Sequence, residues 1–198
     1  MRDAIEHLRK ADPVLGAIIE RVGEYQPRHT DPTFHGLARS IIFQQLSGKA
    51  AGTIFGRVAA ATSDPLTPDA VLRLSLEELR KLGLSQQKAT YVRDLAERTA
   101  RGEINFALLP DLSDEEVIRE LTLVKGIGVW TAHMFLIFAL GRPDILPTGD
   151  LGIQNAIKRA YRLRQSPKAA RIEKLGAKWR PYCSVASWYL WRSLELPK

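Results

Sequence analysis

Between Leu121 and Asp150 the chain runs LTLVKGIGVWTAHMFLIFALGRPDILPTGD. It reads as a helix end, a glycine turn, an apolar helix, a loop with two prolines and an acid heading another helix. Apolar residues at helical spacing occupy Asp114 to Leu121 and Val129 to Leu140, so Gly126-Ile127-Gly128 must join two helices in a tight hairpin. Two glycines there allow positive φ angles that other residues resist. Successive N–H groups in such a turn, opening onto a helix N-terminus, form a concavity suited to a phosphate oxygen, and Lys125 adds a full charge beside it. A glycine that merely caps the first helix would leave the same trace.

The same periodicity extends along the whole chain. Ile5, Leu8, Val14, Leu15, Ile18, Ile19 and Val22 predict two short helices, with Asp12-Pro13 as N-cap and first helical position of the second. Gly23 to Pro32 is turn-rich and reads as a connector. Phe34 to Leu46 predicts a helix, and Ile54, Phe55 and Val58 mark the next. At their junction Ser47 is an N-cap candidate, which leaves Gln44 and Gln45 as solvated residues in the simplest account. Leu66 to Gly102 holds a second helix–glycine–helix unit, and Ser113-Asp114-Glu115-Glu116 matches a capping box. Arg142 to Gly149 cannot be helical, and helical spacing resumes from Leu151 to Leu194. Nowhere is period-two alternation sustained, so the expected fold is all-α with about ten short helices.

Composition narrows the function. The formal net charge of +7 favours a polyanionic partner, nucleic acid or an anionic membrane surface. A basic amphipathic helix with an exposed aromatic face is missing, which disfavours the membrane. Met134 to Leu140 is the longest apolar run and cannot span a bilayer, and the charged N-terminus lacks a signal-peptide core, so an intracellular protein is expected, cytoplasmic or nucleoid-associated in a bacterium. One cysteine, Cys183, and four scattered histidines exclude a cysteine-ligated iron–sulfur cluster or zinc site within one chain. Chemistry would fall to carboxylates, aromatics and backbone. Asp150 is then either a plain helix cap or a reactive carboxylate, and Trp130 either a packing residue or an aromatic face for a ligand.

The run Val124 to Ala132, followed by Asp144, Pro147 and Asp150, resembles the signature of the helix–hairpin–helix (HhH-GPD) DNA glycosylase superfamily. With IIFQQLSGKAA at Ile41 to Ala51 and KWRPYCSVASWYLW at Lys178 to Trp191, it is similar to the compact form of the 3-methyladenine DNA glycosylase II group. The likeness extends from about Asp31 to Trp191. It implies a single catalytic unit, 1–198, of two helical lobes flanking a cleft: a central lobe at about 31–141, with the hairpin at 122–132, and a second built from about 1–30 plus 142–198. It further implies a monomeric enzyme acting on damaged double-stranded DNA, turning out an alkylated purine and hydrolysing its glycosidic bond to leave an abasic site.

The same resemblance implies roles. Asp150 would be catalytic and Asp144 a loop brace. Trp130, Tyr182 and Gln44 would line the base pocket, with Trp179 and Trp188 in the core. Gln45 or Leu46 would fill the gap left in the duplex, which revises the simple account of that junction. Lys125, Gly126, Gly128, Trp130 and Thr131 would hold the DNA backbone. Carbonyls of Thr122, Val124 and Ile127 would hold a structural Na+ or K+, and catalysis would need no cofactor. Relatives that also cut the backbone carry a lysine where this chain has Trp130, which argues against lyase chemistry through an imine. A glycosylase–lyase and a non-catalytic hairpin module are the rival readings.

Overall fold

Short polar residues placed just ahead of apolar helical runs decide where the helices begin. In the computed structural model, which describes residues 1–197, side chains of Ser47, Ser75, Ser85 and Ser113 accept a backbone N–H three residues on, and Asp12 and Asp150 do the same for their helices. Each such cap contributes about 1 kcal/mol. Ser75 and Ser113 form complete capping boxes with Glu78 and Glu116.

Twelve α-helices follow in order among the described residues, with no strand: α1 (Arg2–Ala11), α2 (Pro13–Val22), α3 (Phe34–Phe43), α4 (Gly48–Ala61), α5 (Pro68–Leu72), α6 (Leu76–Lys81), α7 (Gln86–Ala100), α8 (Asp114–Thr122), α9 (Val129–Phe138), α10 (Leu151–Ala160), α11 (Ala169–Gly176) and α12 (Cys183–Ser193). Single 3-10 turns lie at Leu109–Asp111 and Ala177–Trp179. The all-α expectation holds, and none of these helices is long and apolar enough to cross a membrane.

The chain divides into two compact units, Met1–His29 with Leu136–Lys198, and Thr30–Phe135. The second junction falls inside α9, upstream of the loop 142–149. In the first unit α12 packs on α2 and α10, and the core gathers Leu8, Leu15, Ile19, Ile157, Trp179 and Tyr189. Trp179 and Trp188 are buried in it. In the second unit α7 is the strut, packed against α3, α5 and α6, with Val92 and Leu95 fully buried. The Lys125 backbone at the base of the hairpin is tied to that strut.

Candidate functional site

The hairpin lies between α8 and α9, and its two glycines do different work. Gly126 has φ +80° and lies on the Tyr91 ring, so a Cβ there would overlap the aromatic carbons. Gly128 does not take a positive φ, contrary to the expectation that both glycines would; a Cβ at Gly128 would meet nothing. One glycine is required by the fold, and the other keeps an exposed surface open to close approach. The first turn of α9 follows directly, and its leading N–H groups have no acceptor within the helix.

The base of the turn is pinned by α7. Asp94 Oδ2 accepts the Lys125 N–H at 3.0 Å and the Arg98 Nε–H at 3.1 Å, and its Oδ1 lies 3.6 Å from Lys125 Nζ. Burial pushes the Asp94 carboxyl up, but the Lys125 N–H and Arg98 outweigh it and hold the group below the usual carboxylate range. Of the residues expected to face the DNA backbone, Lys125 therefore spends its N–H internally while its side chain stays exposed, and Thr131 is buried. Trp130, by contrast, is 50 % exposed.

The Gln44–Leu46 corner sits beside the hairpin. Gln44 Nε2 donates to the Gly126 carbonyl at 3.1 Å, so its side chain braces the turn. Lys88 Nζ donates to the Ile42 and Gln44 carbonyls at 2.7 and 2.6 Å, capping the end of α3 from α7. Burial pulls the Lys88 ammonium below the ordinary lysine value. At the tip Gln45 has φ +55°, a region that side-chain-bearing residues seldom occupy, and Leu46 is 40 % exposed. Among the carbonyls expected to hold a cation, that of Val124 accepts the Ile127 N–H at 3.1 Å.

The acid loop belongs to the other unit and is stitched to the start of α12. Asp144 accepts the Cys183 N–H at 3.2 Å through Oδ1 and Arg180 Nη1–H at 2.8 Å through Oδ2. Ser184 Oγ donates to the Arg142 carbonyl at 2.6 Å and accepts the Ile145 N–H at 3.0 Å. Asp150 then emerges as N-cap of α10, 9 % exposed, its Oδ1 accepting the Ile153 N–H at 2.7 Å and the Trp191 Nε1–H at 2.8 Å. A Cβ at Gly152 would come within 2.9 Å of both Asp150 Oδ1 and Trp191 Cδ1, so only glycine lets the carboxylate and indole meet.

In the same unit the half-buried Tyr182 ring meets His7 edge-on at 5.5 Å. Trp191, Gly152, Lys88 and Asp94 are the site-building residues that spacing alone missed. Only the Gly after an acid at a helix start, Asp150-Leu151-Gly152, carried a hint of close packing. Fixed at a helix N-terminus by two N–H donors on one oxygen, a carboxylate can stabilise a developing cation or orient water.

The chain is 34% identical to DNA-3-methyladenine glycosylase 1 of Schizosaccharomyces pombe, over 96% of this chain and 86% of that one. It superposes on the structure of S. pombe 3-methyladenine DNA glycosylase in complex with abasic DNA with TM-score 0.86, at 34% identity, covering 98% of this chain and 97% of that one. A Bacillus halodurans DNA-3-methyladenine glycosidase gives TM-score 0.85 at 38% identity, covering 96% and 88%. Residues 38–181 match the model of the HhH-GPD superfamily of base excision DNA repair proteins, and the chain belongs to that superfamily.

Proposed function

We propose that this protein is a monofunctional DNA glycosylase that removes alkylated, cationic purines of the 3-methyladenine type from duplex DNA and leaves an abasic site. The observation that carries it is Asp150, a buried N-cap carboxylate held through Oδ1 by the Ile153 and Trp191 N–H groups. Relatives from S. pombe and Bacillus halodurans, both named for 3-methyladenine, align with nearly the whole chain and support the substrate class.

Breaking the glycosidic bond puts oxocarbenium character on the sugar, which the Asp150 carboxylate would stabilise while orienting the attacking water. A purine alkylated at N3 or N7 leaves as a neutral base, so a strong general acid is not needed. The exposed Trp130 indole offers a π-face for that cation once the nucleotide is turned out. Gln45 or Leu46, exposed at the tip of its corner, would fill the vacated stack. The hairpin around Gly126 and Gly128 would hold the backbone. A monovalent cation there would be held by the carbonyls of Thr122, Val124 and Ile127, hard neutral oxygens suited to Na+ or K+, and would add positive charge near a phosphate.

Incubation with methylated duplex DNA, followed by chromatography of the released bases, tests the reaction: free 3-methyladenine is expected. Borohydride trapping on abasic DNA should give no covalent complex, and a trapped complex would replace this reading with a lyase. Gly128→Asp should weaken binding to damaged and undamaged duplexes alike, by roughly tenfold at low salt, and unchanged affinity would remove the hairpin from the interface.

A further inference from the structure

Two exposed loops of the Thr30–Phe135 unit, the Gln44–Leu46 corner and the Gly126 hairpin, meet through one hydrogen bond, Gln44 Nε2 to the Gly126 carbonyl. Each is separately tied to α7. Lys88 takes the Ile42 and Gln44 carbonyls at 2.7 and 2.6 Å, and Asp94 takes the Lys125 N–H at 3.0 Å. Between them on the helix, the Tyr91 ring fills the space beneath Gly126. Residues 88, 91 and 94 follow at intervals of three, so they fall along one side of α7.

The Lys88 and Gln44 ties end on main-chain carbonyls of the loops and the Asp94 tie on the Lys125 N–H, which fixes the path of the backbone. The tie at the Gln44 carbonyl immediately precedes Gln45, whose left-handed φ of +55° turns the tip outward. Without Lys88 the last carbonyls of α3 would turn to water, and the corner would lose the anchor that holds this conformation in place.

We propose that Lys88 and Asp94 are positioning residues that use α7 as a ruler, holding the corner that enters the DNA stack at a fixed register from the hairpin that grips the backbone. This rests on the glycosylase reading given above. An enzyme that grips a phosphate and fills a gap in the stack in the same encounter needs those two elements at a constant separation, and a displacement of about 1 Å can cost about 10²-fold in rate.

The test uses a duplex carrying a tetrahydrofuran abasic analogue beside 2-aminopurine, whose fluorescence rises when a side chain enters the stack, together with single-turnover release from methylated DNA. Lys88→Met keeps the stem and removes the donors. It is expected to bind undamaged duplex within about twofold of the parent, to lose most of the fluorescence rise, and to release base about 10²-fold more slowly. Asp94→Ala should weaken binding to every duplex by roughly tenfold. Val92→Ala, a buried position on the same helix, supplies a general loss of stability for comparison. At matched melting temperature it should keep both the fluorescence rise and the release rate. If Lys88→Met merely follows Val92→Ala, or loses affinity only as its folded fraction falls, the ruler is refuted. A parent protein that shows the fluorescence rise but frees no alkylated purine would refute the reaction alone, and the ruler would then stand or fall on the fluorescence of Lys88→Met.

Discussion

Asp12 and Asp150 occupy equivalent places at the start of α2 and α10. Both are N-caps, both are buried, at 1 % and 9 % exposure, and both accept an indole N–H, from Trp179 at 2.9 Å and from Trp191 at 2.8 Å. Their partners differ in arrangement. Asp12 spreads its contacts over the whole carboxylate: Oδ1 takes the Val14 and Leu15 N–H groups, while Oδ2 takes Tyr161 OH and Trp179 and lies 3.1 Å from Lys178 Nζ. At Asp150 the Ile153 and Trp191 contacts both converge on Oδ1. A helix cap with an indole partner is therefore a way of immobilising a carboxylate. A cation and a phenol turned onto the second oxygen make Asp12 a structural tie between α2, Tyr161 and the Trp179 turn.

Exchanging each acid for its amide should separate the two by phenotype. Asp150→Asn retains an oxygen for Ile153 and Trp191, so the fold should hold while base release in single turnover falls by about 10²- to 10³-fold. Asp12→Asn turns an amide NH2 toward Lys178, Trp179 and Tyr161, setting donor against donor in a buried site. It should destabilise by about 3 kcal/mol in denaturant unfolding, with release per folded molecule unchanged. If the losses in Asp150→Asn track its folded fraction, the contrast collapses and Asp150 is only a cap.

The two acids look alike in sequence as well, and this marks how far the residues could be read. Asp12-Pro13 and Ser113 to Glu116 announced their helices because a cap is a local interaction, complete within four residues. The all-α class followed from periodicity for the same reason. Tyr161, Lys178 and Trp179 reach Asp12 from 149 to 167 residues away, and Trp191 reaches Asp150 from 41, so neither environment leaves a local trace. Lys88 and Asp94 escaped notice because a charged residue on a helix ordinarily faces solvent, and only the fold shows these two turned onto backbone groups of other segments. Spacing also could not divide labour between Gly126 and Gly128, since φ and the Tyr91 ring are facts of the folded chain.

The indole partners sharpen the contrast with smaller effects. Trp191→Phe keeps a ring beside Gly152 and Phe138 but removes one donor from Asp150 Oδ1. Release should slow by roughly tenfold while stability falls by about 1 kcal/mol. Trp179→Phe, in the buried core, should cost about 2 kcal/mol through a lost hydrogen bond and a small cavity, and leave release per folded molecule alone. Equal catalytic losses in the two variants would mean that Trp191 acts only through packing.

Acid titration gives the smallest and most selective difference. Burial pushes the Asp12 carboxyl up, but hydrogen bonds from Tyr161, Trp179, Lys178 and the Leu15 N–H outweigh it, so its folded value lies below the usual carboxylate range. A depressed folded value means that the unfolded chain takes up the proton first as pH falls. The stabilisation from Asp12 is complete above the unfolded value of about 3.9 and is lost as pH drops from there through the folded value. Asp94 has the same sign, with the Lys125 N–H and Arg98 overcoming its burial. Denaturant midpoints measured from pH 5 downward should therefore fall more steeply in the parent than in Asp12→Asn, which has no proton to gain at that position. Parallel acid limbs in the two proteins would show that the Asp12 cluster binds its proton equally in both states.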